Sequence, residues 1–126
     1  MTRERLQDEV RYFSVSLGES SHRPKAPSRT LAERLGDCKD KVMLLDALLA
    51  GLGVEARPTL VSMQRNRGLV NFLPSHDAFD HVISRVQLGE QVYFLDPTIN
   101  GQGQIGKAVQ QECRDPTPDL VCRLLL

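Results

Sequence analysis

The strongest constraint in this sequence is the stretch from Leu35 to Gly53. Val42, Met43, Leu44, Leu45, Ala47, Leu48, Leu49, Ala50 and Leu52 leave almost no polar stripe on a helix drawn through it. A helix that is apolar nearly all round is stable only where other elements cover it, so this one is the expected centre of the fold. Asp37 is a good N-cap, Asp40 stands in capping-box position, and Gly51 and Gly53 mark the end. Cys38 therefore falls at the first helical position. A thiol there meets unpaired backbone N–H groups and the positive end of the helix dipole, with Lys39 and Lys41 close in sequence, and such surroundings favour the thiolate. A cysteine serving only as a small apolar filler has no use for them.

The 126 residues suffice for one domain, which at this size buries roughly two thirds of its unfolded surface without staples. Sixteen basic and sixteen acidic side chains give zero formal charge, which speaks against a general nucleic-acid or membrane-surface binder. No apolar run approaches the ~18 residues of a spanning helix, and the charged start has no signal-type apolar core. A soluble, by default cytoplasmic, chain is expected. Leu6 and Val10, four apart among charges, look like the last turns of a helix at a cut end, so the chain is readable as one piece of a larger protein. Cys38, Cys113 and Cys122 form no CxxC pair, and their odd number leaves at least one thiol free; Cys113 and Cys122 are candidates for a disulfide in an oxidising compartment.

Along the chain, Phe13, Val15 and Leu17 alternate as a short strand closed by Gly18, and Glu19 to Ser28 is rich in turn formers. Ser28 or Thr30 is placed to cap a helix from Arg29 to Leu35 that stops at Gly36. After the central helix, Val54 to Met63 reads as a strand with Pro58 at its start or on a sheet edge, and Gln64 to Asp77 as a long polar loop. Phe79 to Leu88 and Gln91 to Leu95 form a hairpin about Gly89-Glu90, with glycine first in the turn. Beyond Pro97, Thr98 to Gly106 reads as loop, Lys107 to Cys113 as a short helix and Leu120 to Leu126 as a closing strand. The expected class is α+β, with the central helix packed on an antiparallel sheet.

The hairpin register brings two polar residues together. Counting outward from the turn pairs Leu88 with Gln91 and Ile83 with Asp96, so His81 and Asp96 share a face as diagonal neighbours. Ile83, Val92 and Phe94 lie on that face, which is expected to pack on the helix and bring Cys38 against His81. The opposite face, with Val82, Val86, Leu88, Tyr93 and Leu95, then needs another cover, such as the first strand, the C-terminal segment or a neighbouring domain.

Cysteine-based acyl transfer requires a thiolate nucleophile, a histidine that holds it as an ion pair and protonates the leaving amine, and a group that orients the imidazole. Cys38, His81 and Asp96 supply these types in that order. The developing oxyanion would meet the Cys38 backbone N–H and a second donor sought among Ser20, Ser21 and His22. Plainer readings stand beside these: Cys38 as core filler, His81 as a satisfied strand residue, and Asp96 as an Asx-turn residue ahead of Pro97. His22, His76 and His81 show neither HxxxH spacing nor a CxxC partner, so no metal and no cofactor are expected. Arg65 and Arg67 read as exposed loop charges, and Asp80 as structural.

Three segments also match a family in order. Gly36-Asp37-Cys38-Lys39-Asp40-Lys41 with the leucines behind it resembles the nucleophile helix of transglutaminase-like domains. Phe79-Asp80-His81-Val82-Ile83 and Tyr93-Phe94-Leu95-Asp96-Pro97-Thr98 resemble that family's histidine and aspartate strands. The likeness runs roughly from Val10 to Thr98 and looks closest to a bacterial branch in which such a domain follows a β-rich one. It implies a papain-like core, with Cys38 as nucleophile, His81 as general base and acid, Asp96 as orienting carboxylate, and a protein or peptide substrate. Protease, amidase and cross-linking chemistry all fit. The alternative from another class is a catalytically silent peptide-binding or scaffold module of the same fold.

Overall fold

The structure, a computed structural model, describes residues 6, 8–14, 23–65, 73, 75 and 78–99. In chain order the elements among them are β1 (Arg11–Tyr12), α1 (Pro27–Glu33), β2 (Leu35–Gly36), α2 (Cys38–Gly51), β3 (Glu55–Val61), β4 (His81–Leu88) and β5 (Gln91–Leu95). β1 and β2 pair in parallel, and β3, β4 and β5 form an antiparallel sheet in that order. The described part is a small α+β domain with two helices and two open sheets. The segments expected to form a helix at Lys107 to Cys113 and a strand at Leu120 to Leu126 lie outside the described residues, as do Ser20, Ser21, His22, Arg67, His76, Cys113 and Cys122.

α2 forms where its end signals place it. Asp37 Oδ1 accepts from the Asp40 N–H at 3.1 Å and Asp40 Oδ2 accepts from the Asp37 N–H at 3.2 Å, so two otherwise orphaned donors satisfy each other's side chains. Beyond the helix, Gly53 takes φ 74°, a left-handed turn that suits glycine and aims the chain into β3. The hairpin turn likewise uses Gly89 at φ 59°, with the expected Leu88 to Gln91 pairing. β3 carries Pro58 on the sheet edge, where a missing donor is tolerated.

Several boundaries differ from expectation, among them β3, which runs from Glu55 to Val61 within the expected Val54 to Met63. α1 starts at Pro27 instead of Arg29, because proline is at home in the first turn, where its absent N–H would have no partner anyway. Neither Ser28 nor Thr30 caps it; the Thr30 hydroxyl donates back to the Ala26 carbonyl, and Leu35–Gly36 leave the helix to become β2. The first strand is Arg11–Tyr12, ahead of the Phe13 to Leu17 alternation; Phe13 is 58% exposed, while Val15 and Leu17 lie outside the described residues. Its position is set by β2, through bonds from Arg11 N to Arg34 O and from Phe13 N to Gly36 O, each 3.0 Å, which no local pattern announces. β4 begins at His81 because Asp80 turns away to accept from the backbone N–H groups of Met63 at 2.7 Å and Gln64 at 3.1 Å, pinning the turn after β3.

The main correction concerns which sheet face meets α2. Leu44 and Leu45 pack with Val86 and Leu95, flanked by Leu48, Leu49, Ala56 and Tyr93, and with Leu6 and Val10 from the N-terminal segment. This is the face opposite the one bearing Ile83, Val92 and Phe94. Both faces are apolar, so alternation alone does not choose between them. A polar pair confirms the choice, since the Ser84 hydroxyl on the Val86 face donates to Asp46 of α2.

Asp46 is itself an expensive core residue, its second carboxylate oxygen buried without a hydrogen-bond partner among the described residues. Burial raises its pKa from the ordinary 3.8, with the Ser84 bond opposing. Below that value the group is protonated whether folded or not. As pH rises past it the unfolded chain ionises first, so the fold loses stability. Asp46→Asn is therefore expected to be more stable than the parent at pH 7, by about 1 kcal/mol or more, with the gap closing near pH 3. Urea unfolding at the two pH values checks this, and a pH-independent gap would mean that Asp46 does not titrate as described.

Candidate active site

The site is assembled at the open end of the hairpin, where α2 begins. Cys38 is the first residue of α2 and half-buried, His81 is the first residue of β4, and Asp96, buried, follows the last residue of β5. The ladder pairs Ser84 with Leu95, so its next step sets Ile83 across from Asp96 and leaves His81 on the diagonal. His81 Nε2 lies 2.7 Å from Asp96 Oδ2. Cys38 acts on His81 as well, so the ring feels both a carboxylate and a sulfur.

Asp96 serves two partners, one on each oxygen. Oδ1 accepts from the Thr98 backbone N–H at 2.9 Å and from its hydroxyl at 2.6 Å, the Asx turn expected ahead of Pro97, and Oδ2 holds His81. Asp96 thus makes the turn at Pro97 and holds the His81 ring at once. Burial pushes the Asp96 carboxyl up, but the bonds from His81 and Thr98 outweigh it and hold the group below its ordinary range. The hydrogen bond to Asp96, followed by that to Cys38, raises His81 to about 10 against the opposing effect of burial. Through neutral pH the ring is an imidazolium between a carboxylate and a sulfur. That is the charge state from which a histidine can support a thiolate and then release a proton.

The structure brings together all three residues named from the sequence. It reassigns the lysines beside them. Lys39 pairs with Asp37 Oδ2, a neighbour of the cap, and Lys41 turns inward, fully buried, to donate to the Val10 carbonyl at 2.7 Å. Arg65 is half-buried and reaches the Ala78 carbonyl at 3.3 Å, so it staples the loop to the start of the histidine strand. Lys41 and Asp46 escape a motif reading. Their signal was nonetheless present, because a helix apolar nearly all round offers charged residues little water.

Among the described residues, no group of three or more His, Cys, Asp or Glu is arranged to hold a metal ion, and no helix is long and apolar enough to cross a membrane. No family model, curated protein or solved structure matches the chain.

Proposed function

We propose that this domain is a cysteine-dependent acyltransferase or hydrolase acting on amide or peptide carbonyls, built on a papain-like, transglutaminase-like core. The observation that carries the reading is the His81–Asp96 pair, with Nε2 on Asp96, beside a cysteine at a helix N-terminus that also acts on His81. In this mechanism the Cys38 thiolate attacks the carbonyl carbon, and the negative oxygen faces the Cys38 backbone N–H at the start of α2. The C–N bond breaks as His81 gives a proton to the departing amine. A thioester on Cys38 remains. Water, or a second amine, then attacks the thioester carbon while His81 takes back a proton, and the thiolate leaves. Asp96 holds the ring in the orientation both steps need and stabilises its positive charge.

The test uses p-nitrophenyl acetate as a generic acyl donor, quenched in acid and read by intact mass. One acetyl group is expected on Cys38, released by hydroxylamine as a thioester is. It should be absent from Cys38→Ala, which keeps cooperative unfolding because loss of one small side chain at a helix end removes little packing. A chain that takes up no acetyl group, or takes it up equally after Cys38→Ala, would overturn the reading.

A further inference from the structure

Lys41 is the largest fully buried side chain among the described residues. An aliphatic residue there would bury as much surface without desolvating a charge, so packing does not explain a lysine. What the ammonium does is visible in its connections. It lies one helical turn after Cys38 and donates to the Val10 carbonyl at 2.7 Å. Val10 leads directly into β1, which pairs with β2, and β2 ends one residue before the Asp37 cap of the nucleophile helix. The chain ahead of Cys38 is therefore held on two sides, by the strand pair and by a side chain from the helix interior.

We propose that Lys41 is a positioning residue for the Cys38–His81–Asp96 site: it fastens β1 to the interior of α2 and sets a fixed positive charge near Asp96. The inference rests on the acyl-transfer reading above. Burial lowers the Lys41 pKa, opposed by attraction to Asp96 and to Asp8 of the N-terminal segment. Asp96 itself is held chiefly by His81 and Thr98, so Lys41 acts on it as a background charge beside these direct partners. Removing that charge weakens the hold on the Asp96 carboxylate, and with it the Asp96–His81 pair that supports the thiolate.

The experiment follows iodoacetamide alkylation of Cys38 against pH in the full chain, with Lys41→Gln, Lys41→Met and Lys41→Arg. Gln keeps a donor for Val10, Met keeps the packing, and Arg keeps the charge. Alkylation at pH 6 is expected to slow at least about threefold in the Gln and Met variants, and Arg is expected to restore the rate in part. Parent-like profiles in both neutral variants would overturn the proposal, and if one of them fails to unfold cooperatively the other decides. His81→Ala in the parent separates the two ideas: if it leaves alkylation unchanged the acyl-transfer reading falls, whereas if only the Lys41 variants are silent the positioning role falls alone.

Discussion

His81→Ala slows alkylation of Cys38 at pH 6 by about 100-fold, and a stopped-flow or mass-spectrometric time course with iodoacetamide reads the effect directly. At that pH an ordinary thiol is almost wholly protonated and inert, so rapid labelling requires a cation held against the sulfur. His81, raised to about 10 by Asp96 first and Cys38 second, is that cation, and alanine removes it. Asp96→Asn isolates the other half of the pair. An amide at position 96 still accepts the Thr98 N–H, so the turn at Pro97 survives, while the stability that the Asp96–His81 pair adds at neutral pH is lost. The charge is gone, and His81 is expected to titrate well below about 10 in an NMR pH series. If the ring still titrated near 10 in Asp96→Asn, or His81→Ala labelled as fast as the parent, the three side chains would be neighbours without functional coupling.

Gly36→Ala is expected to destabilise the fold by about 2 to 3 kcal/mol and to slow Cys38 alkylation with it. A Cβ at position 36 would lie 2.7 Å from the Asp40 Cβ and 3.0 Å from the Thr30 Cγ2. Both neighbours are buried and belong to different helices, so space is made only by moving α1 from α2 or by opening the capping box that sets Cys38 in place. The penalty is steric, because Gly36 is not among the glycines with positive φ. Gly51 provides the contrast: nothing lies within 4 Å of its Cβ position, and alanine there should be tolerated or mildly stabilising. Urea unfolding of the two variants checks the pair. Equal stabilities would mean that the approach of α2 to Gly36 is looser than its geometry states.

Much of the site was legible because its signals are local. Asp37 and Asp40 satisfy a helix start within four residues, and that alone places Cys38 at the N-terminus of α2. A turn with glycine first fixes the hairpin register, and the register alone puts His81 and Asp96 on one diagonal. Asp80 and Pro58 likewise behave as their local chemistry requires.

What needed the tertiary structure was every choice between surfaces that look alike in one dimension. Val86 and Leu95 face α2, and Val92 and Phe94 do not, although period-two alternation makes both faces apolar; the helix and the N-terminal Leu6 and Val10 decide it together. β1 ends up at Arg11–Tyr12 because β2 is its partner, more than twenty residues away in sequence. Lys41 reads as one more cation near a thiol until the fold turns it inward to a carbonyl 31 residues away. Capping, turn chemistry and register act over a few residues and so are written in order along the chain. Burial and pairing depend on which distant surface arrives, and that is determined only when the whole domain closes.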